Sequence, residues 1–148
     1  MASDGEARQV VVVGVDGSDE SVAALSWAGG YAVATGAALQ ALHIWHYPTG
    51  AGLPPGITPE SVTDEVKANQ QKELGEAIDK AHLDPAAHVE ARIAYGHPAE
   101  VLIDESKTAS LLVVGYKGHG GFTGMLTGSV SLQVVHHAAC PVVVVRGS

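Results

Sequence analysis

Short apolar runs alternate with longer helix-forming segments along this chain, and this alternation constrains the fold more than any other feature of the sequence. Five runs have the length and the β-branched content of strands: QVVVVGV (9–15), LQALHIW (39–45), HVEARIA (88–94), LLVVG (111–115) and PVVVV (141–145). The first, fourth and fifth runs are apolar almost throughout. Such runs are typical of a parallel sheet whose two faces are both covered by helices.

Between these strands the sequence predicts helices over residues 18–34, 59–82, 98–107 and 129–138. Repetition of strand and helix over 148 residues predicts one α/β domain, spanning residues 1–148. We expect a single doubly wound five-stranded parallel sheet in the order 3-2-1-4-5, with helices on both faces. The polar residues 1–8 are predicted to form a flexible N-terminal tail.

Ligands of doubly wound sheets bind outside the carboxyl ends of the strands, where the winding reverses. In the predicted order this point lies between strands one and four. The loops that follow them are GVDGSDE (14–20) and GYKGHGGFTGMLTGSV (115–130), and the second contains six of the chain's 18 glycines. So many glycines weaken a fold unless the backbone must turn tightly or approach something closely. The two loops therefore predict a ligand site.

The charge distribution excludes some partners of this site. Asp and Glu outnumber Lys and Arg by 16 to 8, which disfavours binding to nucleic acid. Residues 111–148 nevertheless contain no Asp or Glu, while Lys117 and Arg146 lie there, so this quarter would tolerate an anion.

No apolar run approaches the ~20 residues that span a bilayer. The single cysteine, Cys140, and the polar start of the chain predict a cytoplasmic protein.

Three common phosphate-site patterns do not fit the sequence. The Walker A string G-x-x-x-x-G-K-[ST] does not occur. The first strand is followed by DGSDES instead of G-x-G-x-x-G, and the second strand ends in HIWHYP without the acid that holds a dinucleotide's ribose. A receiver domain would show paired acids directly after strand one, where Asp16 stands alone.

The start of the fourth helix offers another way to bind phosphate. The first amides of a helix lack intrahelical acceptors, so Gly128, Ser129 and Val130 can present N–H groups to an anion. The hydroxyls of Ser129 and Ser131 can bond a phosphate oxygen or a phosphate-bound metal ion. Lys117 supplies a positive charge for the same anion. A glycine loop that holds no ligand is the alternative interpretation.

The spacing G-x2-G-x9-G-[ST], at Gly115, Gly118 and 128–129, occurs together with VVVGVDGS near the start and CPVVVV near the end. This combination resembles the universal stress proteins of the ATP-binding type over residues 9–146. The resemblance implies that ATP is the ligand, with magnesium held mainly through its phosphates. It implies that adenosine contacts Gly14, Val15, Asp16 and the backbone of Ile44, that ribose and phosphates contact Val114, Gly115, Lys117 and Gly118, and that Gly128, Ser129, Val130 and Ser131 close round the phosphate chain.

The resemblance also implies a homodimer formed through the last strand, at residues 142–145. An apolar edge strand is an aggregation hazard unless something pairs with it, so this expectation has a physical reason as well.

We expect a nucleotide-dependent regulatory protein, not an enzyme. A slow ATPase with Asp16 as its carboxylate is one alternative, and a module that binds another adenine nucleotide such as cyclic AMP is a second. We expect no metal site at His136, His137 and Cys140, and a mobile flap at residues 47–58.

Overall fold

The structure, a computed structural model, describes residues 8–45, 56, 64–116 and 128–146. Within these residues five strands and four helices alternate. The strands are β1 (Val10–Val15), β2 (Ala38–Trp45), β3 (Val89–Tyr95), β4 (Leu111–Gly115) and β5 (Val142–Val145). The helices are α1 (Asp19–Thr35), α2 (Asp64–Ala81), α3 (Pro98–Glu105) and α4 (Gly128–His137). The extent of the domain over residues 1–148 stays a prediction.

Each described element corresponds to one that the sequence predicts, and the differences lie at the ends. Helix α1 begins at Asp19 because Ser18 is its N-cap, and α4 begins at Gly128, one residue earlier than predicted. Helix α3 ends at Glu105, two residues before the predicted end. The predicted start of α2 at residue 59 and most of the predicted flap lie outside the described residues.

All four strand pairings are parallel, and the sheet has the order β3-β2-β1-β4-β5. The predicted topology is therefore confirmed. Strand β1 lies in the centre, with Val13 opposite Val113 of β4 and Val15 opposite His43 of β2. The carboxyl ends of β1 and β4 consequently lie side by side, at the point where the order of the strands reverses.

Helices cover both faces of the sheet and create two hydrophobic cores. Val11, Val13 and Val15 face the core that contains α1 and α2, whereas Val12 faces the core that contains α3 and α4. Side chains alternate between the two faces of a strand, so a strand that is covered on both faces must be apolar at every position. The four consecutive valines at residues 10–13 of β1 have this cause. No helix in the described ranges has both the length and the hydropathy that crossing a membrane requires.

Candidate functional site

The loop after β1 is a tight turn organised by the side chain of Asp16. Its Oδ1 atom accepts hydrogen bonds from the backbone N–H of Ser18, at 2.9 Å, and from the hydroxyl of Ser18, at 2.6 Å. Gly17, between them, has a φ of +86°, in the left-handed region that glycine adopts without strain. The turn therefore fixes the side chain of Asp16 at the carboxyl end of β1.

Two serines continue this network into the first turn of α1. The Ser18 hydroxyl accepts a hydrogen bond from the N–H of Ser21, at 3.2 Å, which makes Ser18 the N-cap. The hydroxyl of the buried Ser21 donates to the carbonyl of Ser18, at 3.0 Å, and accepts from the N–H of Asp16, at 3.3 Å. Backbone and side chain of Asp16 are thus both held by the start of α1.

Helix α1 also packs closely against the end of β4. A Cβ atom on Gly115 would lie 2.7 Å from the backbone carbonyl carbon and oxygen of Glu20. Glu20 lies in the first turn of α1 and is buried. No side chain fits between two backbones at this distance, so packing alone requires glycine at position 115. Gly115 is predicted as a ligand contact, whereas its contact with α1 is not predictable from the motif.

The first turn of α4 is attached to the same residue. The Ser131 hydroxyl, which is buried, donates to the Gly115 carbonyl at 2.9 Å. Because α4 begins at Gly128, the amides of its first residues have no acceptors within the helix. This hydrogen bond keeps the positive end of the α4 dipole beside the ends of β4 and β1. In this structure the Ser131 hydroxyl donates its proton to Gly115 and not to a phosphate. Its predicted contact with a phosphate stays a prediction.

The structure brings most of the predicted site residues to one edge of the sheet. Ile44 lies one residue beyond the partner of Val15, so the end of β2 belongs to the same edge. Val15, Ile44 and Val114 have buried side chains, and any ligand contact at these positions would involve the backbone. Lys117 and Gly118 lie outside the described residues. The residues gathered at this edge are Gly14, Val15, Asp16, Ile44, Val114, Gly115, Gly128, Ser129, Val130 and Ser131.

His43, which is not among the predicted site residues, also supports this edge. Its imidazole is buried in β2, with Nδ1 2.9 Å from the Val15 carbonyl oxygen and Nε2 2.7 Å from Oε1 of Gln70 on α2. The imidazole therefore connects the end of β1 to α2. A polar residue inside the apolar run LQALHIW is the signal that could have drawn attention to it.

Tyr116 connects this edge of the sheet to β5. Its N–H donates to the carbonyl of Val145 at 2.7 Å, and the guanidinium carbon of Arg146 lies 4.6 Å from the centre of its ring. This distance is within the range of a cation–π contact. The ring is partly exposed and borders an apolar cleft of about 360 Å³, whose other lining residues include Leu132, Val135 and Val144.

The described residues give no set of metal ligands. Nowhere in the described ranges do three His, Cys, Asp or Glu side chains gather into a group that could hold a metal ion. His136 and His137 lie exposed in the last turn of α4, where their rings are 6.2 Å apart. Burial raises the pKa of the Cys140 thiol, which packs against the core between the sheet, α3 and α4. A raised pKa keeps this thiol protonated and weakly nucleophilic.

Known proteins share this sequence pattern and this fold. The model of the universal stress protein family matches residues 7–146. A universal stress protein of Mycolicibacterium smegmatis is 40% identical over 147 residues, which cover 95% of this chain and 47% of that protein. The chain spans about half the length of the curated relatives that it matches.

Two solved structures agree with this result. The universal stress protein UspA from Lactobacillus plantarum has a TM-score of 0.71 and 28% identity, with 95% of this chain and 100% of that chain covered. A universal stress protein in complex with cAMP has a TM-score of 0.63 and 28% identity, with coverage of 97% and 100%. From the match over nearly its whole length and from the order of its sheet, we conclude that the chain belongs to the universal stress protein family.

Proposed function

We propose that this protein binds an adenine nucleotide, ATP with magnesium, at the carboxyl ends of β1 and β4. In this proposal it acts as a regulatory protein whose surface depends on nucleotide occupancy. The observation that carries the proposal is the hydrogen bond between Ser131 and Gly115, which holds the start of α4 beside the end of β4. It supports a phosphate site because unpaired helix amides and the helix dipole attract anions.

The two sides of the proposed site suit different parts of the nucleotide. Asp16 stands on the β1 side, and its carboxylate oxygens are hydrogen-bond acceptors, which suits ribose hydroxyls. The first amides of α4 stand on the β4 side and suit phosphate oxygens. Magnesium would be held through the phosphates, with the serine hydroxyls of α4 as additional oxygen ligands.

Binding fits the described residues better than turnover does. Efficient phosphoryl transfer needs a group that orients the attacking water and charges that stabilise the transferring phosphoryl group. Asp16 lies at this edge, and its Oδ1 accepts two hydrogen bonds from Ser18. A carboxylate in this position holds the loop. We therefore propose a nucleotide-binding protein with at most slow hydrolysis.

Calorimetric titration of the nucleotide-stripped protein tests the proposal. We expect Mg-ATP to bind with a Kd in the micromolar range, about −8 kcal/mol, and more tightly than AMP. Stronger binding of ATP would mean that the start of α4 contacts the phosphate chain. Absence of binding for both nucleotides would contradict the proposal.

Gly128→Val tests the phosphate side directly. The added side chain would stand at the first residue of α4, where a phosphate must approach the backbone closely. We expect the Kd for ATP to rise at least about tenfold, with a melting temperature near that of the wild type. Gly30→Val is the matched control, because Gly30 lies in α1 and a Cβ there meets nothing within 4 Å. Full ATP affinity in a folded Gly128→Val variant would contradict the phosphate site.

Cyclic AMP is a second candidate ligand, favoured by the similarity to a universal stress protein in complex with cAMP. Cyclic AMP carries a single negative charge and lacks the β- and γ-phosphates. Its 3′ oxygen belongs to the cyclic phosphate, so it would offer Asp16 only the 2′ hydroxyl, and it would use fewer of the amides at the start of α4 than ATP. Titration with cyclic AMP under the same conditions separates the candidates: tighter binding than ATP would identify it as the preferred ligand.

We also propose that two copies of the chain associate through β5. This strand is at the edge of the sheet, and all four of its valines are only partly buried. Leu132 and Val135, on the adjacent helix α4, are among the most exposed large apolar residues in the described part of the chain. An exposed strand edge beside apolar side chains favours association with another copy.

A further inference from the structure

We propose that His43 positions Asp16 and thereby determines how strongly the site distinguishes ribose from sugars that lack hydroxyls. The inference rests on the proposed nucleotide-binding function and names a residue that this function does not include. It concerns the peptide unit that joins Val15 to Asp16. His43 would act through this peptide, without contact to the nucleotide.

The Val15–Asp16 peptide is held at both of its polar ends. Its carbonyl oxygen lies 2.9 Å from Nδ1 of His43, and its N–H donates to the hydroxyl of Ser21 at 3.3 Å. A peptide unit is planar, so fixing both ends fixes the orientation of the plane. This orientation sets the direction in which the Asp16 side chain leaves the backbone. The histidine and the serine therefore fix the peptide from which the Asp16 side chain projects, and Ser18 holds its carboxylate.

The hydrogen bond to Val15 also fixes the proton on the imidazole. A carbonyl oxygen can only accept, so Nδ1 of His43 must carry the proton and donate. Nε2 faces the side-chain amide of Gln70 at 2.7 Å. With Oε1 towards Nε2 the amide accepts from a protonated imidazole, and turned over it can donate to a neutral one. Gln70 can thus bond the ring in either orientation of its amide. Helix α2 therefore supports the Val15 carbonyl through His43.

Burial makes this arrangement rigid. His43 is 5% exposed and Ser21 is 0% exposed, so water cannot replace either partner of the peptide. Without the imidazole, the Val15 carbonyl loses this partner and the peptide can rotate. Small displacements of a binding group reduce affinity strongly when the group must meet two hydroxyls at once. The loss of affinity should therefore come from weaker contacts with the ribose, while contacts with the phosphates stay unchanged.

Three variants separate positioning from a purely structural role. His43→Leu removes both ring nitrogens at similar volume. His43→Asn keeps an N–H donor near the place of Nδ1 but cannot reach Gln70. Gln70→Leu leaves β2 unaltered and removes only the support from α2. Each is titrated with Mg-ATP and with Mg-2′,3′-dideoxy-ATP, which has the same base and phosphates without the two hydroxyls. Circular dichroism melts identify the temperatures at which each variant is folded.

We expect the wild type to bind ATP more tightly than dideoxy-ATP. His43→Leu should weaken ATP binding about tenfold and leave dideoxy-ATP binding nearly unchanged, so that the two Kd values converge. His43→Asn should restore most of the difference. If His43→Leu does not fold, convergence in Gln70→Leu is the expected result instead.

The inference is overturned if folded His43→Leu, or Gln70→Leu in its place, keeps the wild-type ratio of the two Kd values. It is also overturned if the wild type binds ATP and dideoxy-ATP equally, a result that leaves nucleotide binding itself intact. Failure of the wild type to bind either nucleotide would overturn the proposed function, and this inference with it.

Discussion

Single residues at the carboxyl edge of the sheet are fixed by contacts with their own turn and with distant parts of the chain. Asp16 is held by Ser18 and Ser21, and its preceding carbonyl by His43. At the next strand, Gly115 is enclosed by the backbone of Glu20 and by the Ser131 hydroxyl. A site held in this way loses little conformational entropy when a ligand arrives.

Gly115→Ala should destabilise the protein without a ligand being present. The new Cβ would lie 2.7 Å from the backbone of Glu20, so α1 or β4 would have to move. We expect the free energy of unfolding to fall by about 1–3 kcal/mol, measured by urea denaturation of the nucleotide-free protein.

Gly30→Ala is the control for this substitution. Gly30 lies within α1, and a Cβ there meets nothing within 4 Å, so alanine should leave the stability unchanged or raise it by up to ~1 kcal/mol. Equal unfolding free energies for wild type and Gly115→Ala would mean that the packing of α1 on β4 does not require glycine at this position.

Among the elements, α4 is attached to its neighbours near both ends by buried serines. Ser131 donates to Gly115 near the start of the helix. Near its end, the hydroxyl of Ser106 accepts a hydrogen bond from the N–H of Ala139, at 2.8 Å. The two hydroxyls are similarly buried. They differ in position, since only Ser131 lies at the proposed phosphate site.

Ser131→Ala and Ser106→Ala should therefore differ in ligand binding more than in stability. Each removes a buried hydroxyl and should lower the free energy of unfolding by about 1–3 kcal/mol. Only Ser131→Ala frees the start of α4, so only this variant should bind ATP at least about tenfold more weakly. Urea denaturation and calorimetric titration give both quantities. Equal ATP affinities in the two variants would show that the attachment of α4 does not matter for binding.

For the whole molecule, the exposed edge at β5 governs association. Val135 is 51% exposed on α4 and lines the cleft beside Val144 of β5. Val33, on α1, is 41% exposed and does not line this cleft. The two valines are thus similar in chemistry and exposure, but only Val135 lines the cleft beside β5.

Val135→Lys should shift the protein from dimer towards monomer, because a buried charge in an apolar interface is costly. Val33→Lys should leave the mass of the assembly in solution equal to that of the wild-type dimer. Light scattering coupled to size-exclusion chromatography, over a range of concentrations, measures both variants against the wild type. A wild-type protein that stays monomeric at every concentration would contradict association through β5.

The strands, their parallel arrangement and their order in the sheet were predictable from the sequence alone. Local patterns carry this information: a strand covered on both faces must be apolar throughout, and helices begin at residues such as Ser18. Given these elements, few topologies are compatible with right-handed crossovers. The order of the sheet followed from these rules and the structure confirms it.

Contacts between remote positions were decided only by the tertiary structure. His43 and Gln70 are 27 positions apart, and Gly115 and Ser131 are 16 positions apart, so no local pattern connects them. A glycine in a motif also cannot show whether a ligand or another backbone occupies the space that it leaves. At Gly115 the folded chain itself occupies that space, because α1 crosses the end of β4 there.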